Sequence, residues 1–167
     1  MRHIELITTG GTIEKTYDEQ AQELSNHGPI VQRMLRRLRL VDTEVHHRAL
    51  LSKDSLHLTD LDRSLIVRAV RAAMELSDGV VILHGTDTLE VTGELLAREL
   101  GTPRVPVVLT GAWRPYEMVR SDAQQNLTEA LLATGLAPPG VYCAAHGRVL
   151  RFPGVVKNRE LGTFVTK

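Results

Sequence analysis

Short apolar runs and helix-periodic stretches alternate along this chain, and that alternation restricts its fold more than any single residue does. Residues 3–9, 43–51, 79–84, 105–110 and 140–145 are short, rich in Val, Ile or Leu and bounded by Gly, Pro, Asp or Ser, the pattern of strands. Between them lie stretches with apolar residues at helical spacing. The first begins near Pro29, a residue suited to an opening helical position, and carries Ile30, Val31, Met34, Leu35 and Leu38. The second runs from about Asp60 to Leu76, turning Leu61, Leu65, Ile66, Ala69, Val70 and Ala73 inward before Asp78-Gly79 stops it. The third leaves His84-Gly85-Thr86-Asp87 and ends at Gly101, and the fourth starts around Ser121-Asp122 and ends at Gly135. Strands alternating with helices feed a parallel sheet, so the expected fold is α/β: a single-domain, doubly wound, mostly parallel sheet with helices on both faces.

With 167 residues the chain is long enough for one core without disulfide or metal staples, and residues 1–167 read as a single domain with no second one. Its 20 basic and 20 acidic side chains cancel, which leaves no global field toward nucleic acid or a membrane surface and favours a small ligand. The basic run from Arg33 to Arg39 is interrupted by Met34, Leu35 and Leu38 and reads as a solvated helix face. One cysteine, Cys143, lies in an apolar run and reads as a buried thiol. The N-terminus enters Ile4-Glu5-Leu6-Ile7 without a signal-peptide pattern, and no segment is long enough to span a bilayer, so the expected location is cytoplasmic.

Chemistry-bearing residues gather where the expected strands end. Thr12 follows the first, Ser52 the second, Thr86 and Asp87 the third, and Gly111-Ala112 the fourth. In open α/β sheets ligands bind beyond the C-terminal ends of strands, where helix N-termini offer free N–H groups to an anion or zwitterion. Thr8-Thr9-Gly10-Gly11-Thr12 and His84-Gly85-Thr86-Asp87-Thr88 each set hydroxyls among glycines that permit tight turns, a setting for nucleophilic chemistry. The first stretch has neither dinucleotide glycine spacing nor the lysine and hydroxyl of a phosphate-binding loop. His46 and His47 are adjacent and would face opposite sides of a strand, and His3, His57 and His146 lack ligand spacing, so neither a metal nor a cofactor is expected.

These residues resemble the bacterial-type L-asparaginase family. Thr9-Gly10-Gly11-Thr12-Ile13 and His84-Gly85-Thr86-Asp87-Thr88 are similar to its two signature motifs. Further likeness lies in Ser52-Lys53-Asp54-Ser55, in the segment Val108 to Pro115, in Ser121-Asp122 followed by Asn126-Leu127, and in Val156-Lys157-Asn158. The resemblance spans almost the whole chain. It implies hydrolysis of L-asparagine to L-aspartate and ammonia, with Thr12 as the nucleophile that forms an acyl-enzyme and Tyr17 helping to move its proton. Thr86, Asp87 and Lys157 would form a second grouping that polarises a hydroxyl or the water resolving the intermediate. Ser52, Gly11, Gly85, Thr86 and Asp87 would bind the substrate α-carboxylate and α-amine.

A threonine hydroxyl needs a neighbouring base and a dry site, and residues 13–28, polar and ending at Gly28, read as a lid able to exclude water. Two departures from the family pattern stand out. The chain ends shortly after the lysine motif, where longer members continue into a second domain, and Lys157-Asn158-Arg159-Glu160 lacks their hydroxyl-rich continuation. A homodimer or dimer-based oligomer is therefore expected to close the crevice. The alternatives are a non-catalytic amino-acid-binding or regulatory module that keeps the pocket, and, on fold analogy alone, a nucleotide-binding protein.

Overall fold

The computed structural model describes residues 1–26 and 30–167. Strand β1, Arg2–Gly10, is followed by a short 3₁₀ turn at Thr12–Glu14 and a hairpin of β2, Thr16–Asp18, and β3, Glu23–Ser25. Helix α1 covers Ile30–Leu35 and β4 covers Thr43–Lys53. Then come α2, Asp60–Leu76, β5, Gly79–Leu83, α3, Leu89–Leu100, β6, Pro106–Thr110, and α4, Ala123–Leu136. The described chain closes with β7, Gly140–Ala145, β8, Arg148–Arg151, β9, Val155–Asn158, and β10, Thr163–Thr166.

The main sheet has the order β4-β1-β5-β6-β7-β8. The first five strands run parallel, and β8 pairs antiparallel on the edge. Alternation along the strands splits the core in two. Ile7, Val80, Ile82, Val107 and Leu109 pack with α2 and α3, while Ile4, Leu6, Val81, Leu83 and Val108 pack with α1 and α4. Helices therefore cover both faces, as the sequence pattern implies.

Strand order reverses at β1, whose neighbours are β4 on one side and β5 on the other. The chain leaves β1 toward β4 and β5 toward β6, in opposite directions, so a crevice opens beyond their C-terminal ends. Both threonine-glycine turns leave from there.

Several local expectations change. Leu61 is 82% exposed, because it lies on the outer side of the first turn of α2. Thr59 and Asp62 close that helix start with reciprocal hydrogen bonds. Gly135 does not end α4: the helix continues to Leu136, and a side chain at Gly135 would strike the Arg2 guanidinium. The stop falls at Ala137, just before Pro138-Pro139. Part of the expected lid forms the β2–β3 hairpin, while its end at Gly28 and the helix start at Pro29 lie outside the described residues. Strands β8, β9 and β10 were not expected, and β9 carries Lys157 to the site.

Candidate active site

Glycines bring the loops together. Gly10 and Gly11 have φ of 102° and 83°, values that L side chains rarely adopt. A Cβ at Gly11 would lie 2.6 Å from the backbone of Gly85, and one at Gly85 would lie 2.6 Å from the Ser55 side chain. A Cβ at Gly111 would meet the His84 carbonyl at 2.2 Å and the Thr86 methyl at 3.2 Å. The loops after β1, β4, β5 and β6 thus touch backbone to backbone, and the turn that carries Thr12 sits directly on the turn that carries Thr86 and Asp87. Thr12 itself, in the first position of its 3₁₀ turn, is half-buried.

Across the crevice, Lys157 Nζ donates to Thr86 Oγ1 at 2.7 Å and to Asp87 Oδ1 at 2.9 Å. Its side chain is only 10% exposed, and its ammonium lies 5.0 Å from the centre of the Trp113 ring, a favourable cation–π placement. The hydrogen bond from Lys157 holds the Asp87 carboxyl below its ordinary range against the opposing effect of burial, and Arg159, also at 2.9 Å, adds to the effect. Asp87 is therefore an anion at neutral pH. The backbone N–H of Lys157 donates to Glu90 on α3, which ties β9 down over the site.

His84 is fully buried: Nδ1 faces the Gly85 carbonyl at 2.8 Å and Nε2 faces Thr92 Oγ1 at 2.8 Å. Burial lowers its pKa to about 4, so it is a neutral brace for the turn. On the far side, Asp122 accepts from the backbone N–H groups of Trp113 and Arg114 and pairs with His146 Nε2 at 2.8 Å. Burial opposes ionisation of Asp122, but these donors together hold it below the ordinary carboxylate range. Asn126, fully buried, donates to the Gly111 carbonyl at 2.8 Å and accepts from the His146 N–H at 3.1 Å. Asp122 and Asn126 thereby fix the loop that supplies Trp113.

The structure gathers the turns of Thr12, Gly11 and Gly85 with Thr86, Asp87 and Lys157. Ser52 is placed elsewhere. It is exposed at the end of β4 and lines a recess of about 290 Å³ with Thr8, Glu14 and His47. The serine against Gly85 is Ser55, which is 2% exposed and whose Oγ accepts from the Thr88 N–H at 3.3 Å. Asp54 produces this placement by accepting from the Leu56 N–H, which turns the chain and swings Ser55 inward. The Asp-Ser pair, a turn cap followed by a small hydroxyl, was the available signal. Tyr17 lies on the hairpin, 56% exposed, and its backbone N–H donates to Glu117 Oε2. Among the described residues no group of His, Cys, Asp and Glu is arranged to hold a metal ion.

An open, mostly parallel sheet with hydroxyls, a carboxylate and a buried lysine at its reversal point defines a doubly wound α/β protein, with these groups where such folds hold their ligands. Residues 3–163 match the family described as Asparaginase, N-terminal. The chain belongs to that family. It is 33% identical over 157 residues to the L-asparaginase of Thermococcus kodakarensis, covering 94% of this chain and 48% of that protein. It is 36% identical over 137 residues to L-asparaginase 1 of Escherichia coli K12, covering 78% and 39%. A glutamyl-tRNA(Gln) amidotransferase component of Methanobrevibacter smithii is 45% identical over 71 residues, 42% of this chain and 16% of that one. The solved structure of the T. kodakarensis enzyme superposes with a TM-score of 0.90 at 32% identity, covering 98% of this chain and 51% of that chain. The chain thus spans about half the length of the L-asparaginases it matches.

Proposed function

We propose that this protein is an amidohydrolase that converts L-asparagine to L-aspartate and ammonia. The observation that carries the reading is Lys157 Nζ, held at 2.7 Å from Thr86 Oγ1 and 2.9 Å from Asp87 Oδ1, facing the turn of a second threonine, Thr12. Thr12 Oγ attacks the side-chain amide carbon, the amide nitrogen leaves as ammonia, and water cleaves the resulting ester to free Thr12 and aspartate. The β2–β3 hairpin closes to bring Tyr17 over Thr12 and to exclude water during the first step. Lys157 donates to Thr86 Oγ1, which leaves the hydroxyl's own hydrogen free to orient the attacking water. Ser55, together with the turn N–H groups near Gly11 and Gly85, takes the ligand-carboxylate role expected of Ser52. Asp87 is the anion available to a ligand ammonium.

A second reading follows from the amidotransferase likeness: the same groups would release ammonia from glutamine. Ammonia release from L-asparagine and from L-glutamine at millimolar concentrations, with Thr12→Ala as control, separates the two. Release that vanishes in the variant supports the nucleophile. Stabilisation by asparagine or aspartate without ammonia would replace an enzyme with a binding module. No helix among the described residues is long and apolar enough to cross a membrane, and a cytoplasmic location is proposed. A homodimer is proposed as well, supported by exposed Leu132, Leu136 and Val149 in an open groove of about 430 Å³ beside edge strand β8. Sedimentation of a fully active monomer would refute it.

A further inference from the structure

We propose that Arg159 tunes which amide acids this site accepts, because it pairs with Asp87, the carboxylate that a ligand ammonium needs. The inference rests on the amidohydrolase reading. Asp87 Oδ1 accepts from two cations at once, Lys157 Nζ and Arg159 Nη2, each at 2.9 Å. Both come from one segment: Lys157 lies in β9, which ends at Asn158, and Arg159 is the first residue of the turn that follows. Asn158 Oδ1 accepts from the Leu161 N–H at 2.8 Å, which steadies the turn just beyond Arg159.

The two cations differ in freedom. Lys157 is 10% exposed, bonded to Thr86 as well, and packed over Trp113. It is a fixed part of the site, since withdrawing it would leave Asp87 and Thr86 without their buried donor. Arg159 is 73% exposed, and a solvent-exposed ion pair contributes little, so its guanidinium leaves Asp87 readily. Asp87, 30% exposed, thus presents to the crevice a carboxylate already capped by a removable cation.

A ligand that carries an α-ammonium competes with Arg159 for the charge of the Asp87 carboxylate, whose Oδ1 already holds two cations. A four-carbon amide acid without that ammonium, succinamate, leaves the Arg159–Asp87 pair intact and meets an additional cation for its carboxylate. Arg159 is then a selectivity device that weakens recognition of the free amino acid relative to its des-amino counterpart. Both compounds undergo the same balanced reaction, amide plus water giving acid plus ammonia, so their kcat/KM values compare directly.

The test measures kcat/KM for L-asparagine and succinamate in the intact protein, in Arg159→Ala and in Arg159→Lys. The Ala variant should raise the asparagine-to-succinamate ratio about three- to fivefold, the range expected when an exposed ion pair ceases to compete. The change should sit mainly in the KM for asparagine, and Arg159→Lys should stay near the original ratio. A ratio unmoved in Arg159→Ala overturns the role of Arg159. If the protein hydrolyses neither amide, the amidohydrolase reading fails, and the question passes to calorimetry with L-aspartate and succinate. There, a Kd ratio that shifts toward aspartate in Arg159→Ala sustains the inference, and an unshifted ratio or no binding of either acid refutes it.

Discussion

Glu14 lies two residues beyond Thr12, in the same 3₁₀ turn, and its carboxyl is mostly buried. Its Oε2 accepts from the Gly10 N–H at 2.9 Å, and Thr8, whose hydroxyl also meets His47 Nε2 at 3.2 Å, bonds it as well. Burial outweighs both bonds and raises the Glu14 pKa from 4.5 to about 7. A carboxyl raised in the folded state stabilises the fold while it is protonated. That contribution is full below the unfolded value of 4.5 and is lost as pH rises through about 7. Between about pH 5 and about pH 8 the loss is about 2.5 kcal/mol, at 1.36 kcal/mol per factor of ten in the proton equilibrium. Glu14→Gln keeps an uncharged acceptor for the Gly10 N–H and removes the titration. Relative to the unmodified protein, it should gain about 2.5 kcal/mol from the lower to the higher pH, about 5–10 °C in Tm for a chain of this size. The assay is thermal unfolding of both proteins by circular dichroism at the two pH values. Other titrating groups, His47 among them, occur in both proteins and largely cancel in the difference. Parallel pH profiles would show that Glu14 is not buried as a proton-binding group and would refute the reasoning.

Further outcomes follow from the geometry. Thr12→Ala should lower ammonia release from asparagine by at least about a thousandfold while leaving a cooperative melt, the signature of a lost nucleophile. Lys157→Met should remove the chemical step with the sheet intact, and turnover at the original rate, measured by stopped-time ammonia release, would exclude Lys157 from the chemistry. Gly11→Ala should destabilise the fold by about 2–4 kcal/mol in urea unfolding, because the residue combines φ of 83° with a methyl group 2.6 Å from the Gly85 backbone. Ser55→Ala should raise KM for asparagine more than Ser52→Ala does, since Ser55 faces Gly85 and Ser52 lines another recess.

The parts of the fold that were legible in the sequence are those with many residues voting together. Strands β1, β5, β6 and β7 and helices α2 to α4 each bury a run or stripe long enough to stand out; β4, an edge strand with no buried residue, shows itself by its length instead, and all appear within a few residues of the expected limits. Strands β8, β9 and β10 have four residues each and set only two adjacent apolar residues among Arg, Lys, Asn and Thr, which is too little to separate them from loop. Leu61 follows the helical stripe in sequence but falls at the flank of the first turn, where the chain has not yet come under the sheet. The site was legible as motifs, because glycines beside hydroxyls mark turns that must approach other backbone. Which serine turned inward depended on a single cap, Asp54, and that choice shows only in three dimensions. The partnership of Arg159 with Asp87 spans 72 positions and has no local signature.

The lysine of this site arrives on a separate two-stranded ribbon, β9 with β10, which pairs with no strand of the main sheet. A ribbon of two short strands holds little cooperative free energy of its own and opens more readily than a sheet packed on both faces. Opening it withdraws Lys157 from Thr86 and Asp87 while β1 and β5 keep their turns in contact. Heat or denaturant should therefore extinguish turnover before the far-ultraviolet signal falls, and amide exchange at Lys157 should outpace that at Leu83. Competence of the site is then a local equilibrium layered on a more stable scaffold, adjustable by Phe164 and the other residues that dock the ribbon without any change to the reacting groups.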